Sequence, residues 1–210
     1  TSAISHVHRQ WLVLELREPW TVGGETHPAG SLLAADLDAY LAGERRLQVL
    51  FTPTETSALA DVTFTRHHLV RSVLTDVATS LRVATPTAGG WRFRRFGGVP
   101  ELGTIHAAAV DDETSDQVWL VVTDYLTPTS LLLADLDGDA LPEPLKAEPA
   151  FFDAEGLTVR QRFATSEDGT RVPYFLVARD DLPLDGSTPT LLYGYGGFEI
   201  SMTPSYSGSI

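Results

Sequence analysis

Gly194-Tyr195-Gly196-Gly197 follows directly on the apolar run Thr190 to Tyr193, joining flexible backbone to phenol groups. Several chemistries use glycines placed after a strand. A dinucleotide fingerprint needs Gly at the sixth position of G-x-G-x-x-G, where this chain has Glu199, so that reading fails. A Walker phosphate loop needs a Gly-Lys-Ser/Thr ending, which is absent. An oxyanion hole remains: glycines after an early strand of a hydrolase sheet let backbone approach a substrate carbonyl. A tyrosine hydroxyl held there can donate to the negative oxygen that forms in acyl transfer. The plain alternative is a turn that uses glycine only to reach positive φ.

Other groups carry weaker signals. His6-Val-His8 places two imidazoles on one face of a strand, a possible metal pair without a third ligand nearby. Asp135-Leu-Asp137-Gly-Asp139 hints at calcium, but an EF-hand loop needs Gly at position six and Glu at twelve, where Ala140 and Lys146 stand. A turn between strands accounts for it better. "VDDETSD" at 110 to 116 reads as a solvated hairpin tip. No metal and no cofactor is expected.

The 210 residues carry a net charge of -13, from 28 Asp+Glu against 15 Lys+Arg. An acidic surface disfavours nucleic acid, and the cluster Arg92, Arg94 and Arg95 is too small to reverse that. No apolar run reaches the ~18 residues of a membrane-spanning helix, so no membrane partner is expected. With no cysteine, disulfides and thiol catalysis are excluded. A missing cysteine fits cytosol and periplasm alike; the cytoplasm is the expected compartment. Thr1 is not an initiator Met, and no signal segment follows it.

The elements that must position these residues show a repeat. Ser31-Leu-Leu-Ala-Ala-Asp-Leu37 returns as Ser130-Leu-Leu-Leu-Ala-Asp-Leu136, with a weaker copy, Ser80 to Thr85, between them. Apolar, β-branched runs flank each copy: "WLVLEL", "HLVRSVL" and "VWLVVTDYL" before, "LQVLF", "WRFRRF" and the poorer "EPLKAEP" after. "LADVTFT" and "TIHAAAV" precede the second and third units. Four short strands per period of about 50 residues is the pattern of a β-propeller blade. A β-sandwich with similar strand spacing is the alternative. Residues 1 to about 150 then hold roughly three blades, and three alone would leave two sheet faces unburied. Trp11, Trp91 and Trp119 fall in the strands, as inter-blade core.

From Phe151 the rhythm ceases. A strand at 157–165, a turn at Asp168-Gly169 and a strand at 171–179 make a hairpin. After a polar loop comes a short strand, Thr190 to Tyr193. A sheet of α/β type could begin this way, with ligand loops past its strand ends. A domain boundary near 150 is expected.

"LLYGYGGFEISMTPSYS" resembles the opening of the catalytic domain of the prolyl oligopeptidase family. "RQRFATSEDGTRVPYFLV" resembles the strands before it, and the blades resemble that family's seven-bladed propeller. The resemblance implies a mostly β chain: the C-terminal part of a propeller over 1–150, then the first strands of an α/β-hydrolase domain over 151–210. It implies a serine peptidase cleaving short proline-containing peptides after proline. Tyr195 would be the oxyanion-hole tyrosine and Phe198 an aromatic lining the proline pocket. Phe198 points away from the related oligopeptidase B; Tyr193 is expected to pack. The family's nucleophile sits in a G-x-S-x-G elbow, with Asp and His later in the chain. Ser205, Ser207 and Ser209 lack those glycines, and all six histidines precede any such elbow. The chain is therefore expected to be a fragment, inactive alone, whose partner is the remainder of its own polypeptide. A non-catalytic propeller that binds a peptide or protein is the competing expectation.

Overall fold

Short apolar runs become strands here because each finds a ladder partner, the inner strands one on both sides, and a second sheet to pack on. The computed structural model describes residues 2–138, 140–183, 185–198 and 200–209. Asp139 of the calcium-like run and Glu199 of the failed fingerprint lie outside the described residues. Blade 1 comprises β1 (Ala3–His8), β2 (Trp11–Leu16), β5 (Leu32–Asp36) and β6 (Gln48–Phe51). Blade 2 is β7 (Ser57–Phe64), β8 (Leu69–Thr75), β9 (Ala78–Thr87) and β10 (Gly90–Arg95). Blade 3 is β11 (Thr104–Ala109), β12 (Gln117–Thr123), β13 (Ser130–Asp135) and β14 (Glu143–Ala147). All three are antiparallel, neighbour pairing with neighbour. The copies at 31–37, 80–85 and 130–136 are the third strands of the three blades.

Alternation along each strand sends successive side chains to opposite blades. In β8, Leu69 packs with Val13, Leu32, Ala34 and Leu50 of blade 1, and Val70 packs with Ile105, Val118 and Leu120 of blade 3. Each such side chain contributes about 1.5–3 kcal/mol on leaving water. Trp11 and Trp91 meet at 4.9 Å between blades 1 and 2, as expected. Trp119 is different: it lies half-buried on the face of β12 opposite the one that packs on blade 2.

Two elements between the repeats were not foreseen. A ribbon of β3 (Trp20–Val22) and β4 (Glu25–His27) and a short helix α1 (Leu37–Leu41), capped by Asp36, interrupt blade 1. Trp20, Leu37 and Tyr40 pack on Leu12, Leu14, Leu16 and Leu33, covering the face of blade 1 that would otherwise be bare. Their apolar residues lie outside the fifty-residue pattern, so periodicity could not register them.

β15 (Leu157–Thr165) and β16 (Arg171–Arg179) form the expected hairpin, with Gly169 at φ +86 in its turn. The strand expected at Thr190 to Tyr193 does not form. Those residues are extended chain without a ladder partner among the described residues, and Tyr193, expected to pack, is exposed. A strand exists only as part of a sheet. Apolar sequence alone did not supply one.

Candidate active-site segment

Antiparallel strands give the blades two ends. One end carries the β8–β9 turn, where Asp76 and Val77 both adopt positive φ (46° and 61°), together with Gly103 and the β12–β13 loop. At Gly103 a Cβ would lie 2.9 Å from the Thr123 carbonyl oxygen, and its own carbonyl accepts from the Thr79 N–H at 3.2 Å, closing blade 3 on blade 2.

The chain after β14 returns to this end. Gln161 Nε2 of the hairpin donates to the Asp76 carbonyl at 2.5 Å, and Phe175 meets Tyr125 at 5.4 Å. Burial pushes the Tyr125 phenol upward in pKa. Farther on, Thr104 Oγ1 donates to the Pro204 carbonyl at 2.6 Å, and the Tyr206 N–H donates to Thr123 Oγ1 at 3.1 Å. The Tyr206 hydroxyl accepts the Phe151 N–H at 2.7 Å, and its ring stacks on Phe152 at 4.9 Å. No sequence signal singled out Tyr206, because its partners lie 50 to 100 positions away.

Between these two anchors lies the glycine-rich segment. None of Gly194, Gly196 and Gly197 has positive φ; Phe198 does, at 54°. A turn that needs glycine for positive φ is therefore not what the segment uses. A non-glycine residue there costs on the order of 1 kcal/mol, and such strain clusters at functional sites. The Ile200 N–H donates to the Gly197 carbonyl at 3.1 Å, closing the turn. The Tyr195 ring lies against Gly197: a Cβ there would sit 3.5 Å from its hydroxyl oxygen, an ordinary contact, and Gly194 and Gly196 face open space. Tyr195 is 48% exposed and Phe198 90%. No described residue engages the Tyr195 hydroxyl.

The opposite end of the blades holds the titratable residues. Asp116, buried in the β11–β12 loop, accepts from Thr65 Oγ1 at 2.8 Å, from the His67 N–H at 2.7 Å and from His67 Nδ1 at 2.6 Å. Burial pushes the Asp116 carboxyl up, but these three hydrogen bonds and the nearby His68 outweigh it and hold it below the usual range. His68 Nε2 donates to Asp137 Oδ1 at 3.0 Å and Nδ1 accepts from Thr85 Oγ1 at 2.8 Å. Run 110 to 116 is thus a solvated tip except at its last residue, which staples blade 3 to blade 2.

Ligand atoms of His67, Asp116 and Asp137 lie within 4.8 Å of one another, the group of described residues arranged to hold a metal. Every one of the three already has a protein partner: Asp116 and His67 bond each other, and Asp137 bonds His68. The group works as a hydrogen-bonded staple. His6 and His8 do not form a metal pair; both rings pack on Phe64, at 5.7 and 5.1 Å. The Asp137 N–H caps Asp135 Oδ1 at 2.9 Å, as a turn requires.

No family model matches the chain. Over 210 residues, 99% of its length, it is 41% identical to the uncharacterized peptidase y4nA of Sinorhizobium fredii, of which the match covers 28%. The post-proline cleaving enzyme of Rickettsia typhi shares the fold at TM-score 0.79 and 24% identity, over 98% of this chain and 30% of that one. A structure from an analysis of two prolyl endopeptidases, with inter-domain dynamics as its subject, aligns at TM-score 0.74 and 26% identity over 99% of this chain and 28% of its own. The chain spans about 28% of the length of the first of these relatives. Three antiparallel blades, a docked hairpin and the Tyr-Gly-Tyr-Gly-Gly-Phe segment, together with this likeness, make the chain similar to prolyl oligopeptidase family proteins over a little more than a quarter of their length.

Proposed function

We propose that these residues serve a serine peptidase that cleaves short peptides on the carboxyl side of proline, Tyr195 donating to the oxyanion and Phe198 lining the proline pocket. The observation that carries this reading is the unengaged, half-exposed Tyr195 hydroxyl beside a strained Phe198, both held between anchors on the blades. In the tetrahedral intermediate the carbonyl oxygen becomes an alkoxide, and a phenol O–H already aimed at that position stabilises it without reorganising. Nucleophile, acid and base would come from other parts of the polypeptide. The boundary between propeller and catalytic domain would fall near residue 150, and the 210 residues alone would be inactive.

The test is Tyr195→Phe in the natively encoded protein, assayed on a short peptide with an internal proline. Loss of one oxyanion donor lowers turnover about 100- to 1,000-fold. Labelling by a fluorophosphonate should persist, because it reports the serine. Unchanged turnover removes Tyr195 from the mechanism. A natively encoded protein that no fluorophosphonate labels is not a serine peptidase.

A further inference from the structure

Arg71, Arg82 and Arg95 stand in one row across blade 2. Arg71 in β8 is the cross-strand partner of Arg82 in β9, and Arg82 is the partner of Arg95 in β10. Residues directly opposite in an antiparallel ladder share a face of the sheet. Arg71 Nη1 donates to the Leu50 carbonyl of β6, so this face is the one turned to blade 1. The row lines a cavity of about 520 Å³ between the two blades, shared with Thr75 and Phe93.

Like charges directly opposite in a sheet are destabilising. A guanidinium taken from water without a counter-charge costs more still. Arg71 is only 8% exposed, its Nε has no partner among the described residues, and its plane lies over the Phe93 ring at 4.5 Å. Burial, and then the Arg82 charge, pull its pKa down to about 10. Among the described residues neither Arg71 nor Arg82 has a carboxylate within ion-pair reach, and Arg95 has Glu101 at a loose 3.7 Å. A chain of net charge -13 has no shortage of carboxylates. Two of the row's three guanidiniums, those of Arg71 and Arg82, are left without a carboxylate among the described residues of an acidic protein.

We propose that the groove between blades 1 and 2 binds a small divalent oxyanion of the phosphate class, held by the Arg71–Arg82–Arg95 row. Guanidinium groups present paired N–H donors that match the oxygens of a phosphate. Three cations arriving from three strands suit a divalent tetrahedral ion better than one planar carboxylate. The ion relieves the repulsion along the row and offers an acceptor to a buried donor that has none. Arg94, which also borders the cavity, is engaged elsewhere: its guanidinium donates to the Leu136 carbonyl at 2.5 Å toward blade 3.

Titration calorimetry of the natively encoded protein with inorganic phosphate, at constant ionic strength, tests this. One saturable site is expected, with acetate at the same ionic strength giving none. Arg82→Gln and Arg95→Gln, both at exposed positions that leave the core intact, should each weaken binding about tenfold or more. Arg46→Gln, an exposed arginine outside the row, should leave it unchanged. Absence of saturable phosphate binding overturns the proposal. So does binding that survives the Arg82→Gln/Arg95→Gln double variant, or binding that acetate reproduces.

Discussion

Two Leu-Leu pairs of the chain, one early and one late, have opposite fates. Leu32 and Leu33 lie in the third strand of blade 1, both 0% exposed. Leu191 and Leu192, before the Tyr-Gly-Tyr-Gly-Gly segment, are 71% and 92% exposed in extended chain. Local propensity hardly distinguishes them. Leu32 and Leu33 are flanked by ladders to β2 and β6, and their side chains reach different clusters, Leu32 toward blade 2 and Leu33 toward the α1 side. The second pair has neither ladder nor opposing sheet. Burial follows from available partners, and only then does a strand form.

The sharpest way to break this comparison is to hollow out the buried pair. Leu33→Ala removes a fully buried side chain packed on Leu12, Leu14 and Leu16. The expected loss is about 3 kcal/mol, within the ~2–5 kcal/mol range of such truncations. Urea unfolding of the protein, followed by tryptophan fluorescence, reads it through the Trp20 that covers the same cluster. A loss below about 1 kcal/mol would mean that the α1 side of blade 1 is loosely packed.

A polar contact between blades should matter less than that, and should depend on pH. Asp116→Asn leaves Thr65, the His67 N–H and the His67 ring facing a neutral amide. About 2 kcal/mol should be lost at pH 7. Because the Asp116 pKa is lowered in the folded state, its contribution is fully present above the unfolded value near ~3.9 and fades as pH falls through the lower folded value. The gap between wild type and Asp116→Asn should therefore be flat from pH 7 to about 5 and shrink below about 4. A gap that grows on acidification would contradict the assigned direction.

Legibility in the sequence follows the same division. The blade strands were readable because the chain repeats them, down to the pair at 31–37 and 130–136, and because each copy alternates between two blades. Asp168-Gly169 announced the hairpin through the backbone conformation it permits. What stayed hidden depends on distant partners. Asp116 looks like one more acid at a solvated tip, and nothing local indicates that Thr65 and His67, 51 and 49 positions earlier, will surround it. Tyr206 is equally silent, since Thr123 and Phe151 create its role. At Thr190 to Tyr193 the opposite holds: the apolar run reads locally as a strand, but no described residue supplies it with a ladder. Tyr195 and Phe198 were legible as a motif. Their geometry, with positive φ at Phe198 and not at a glycine, was not.

The smallest expected effect sharpens the comparison most. Leu192→Ser changes the most exposed leucine of the second pair into a polar residue of lower β propensity. In the 210-residue chain the substitution breaks no ladder and empties no packed site. Stability of the blades should shift by no more than about 0.5 kcal/mol, as for other surface substitutions away from structural features. The same urea transition used for Leu33→Ala measures it, so the two leucines are compared under one probe. A loss approaching that of Leu33→Ala would show that a surface covers Leu192 in solution. The two pairs would then differ in when they are buried, and Thr190 to Tyr193 would be a strand awaiting its sheet.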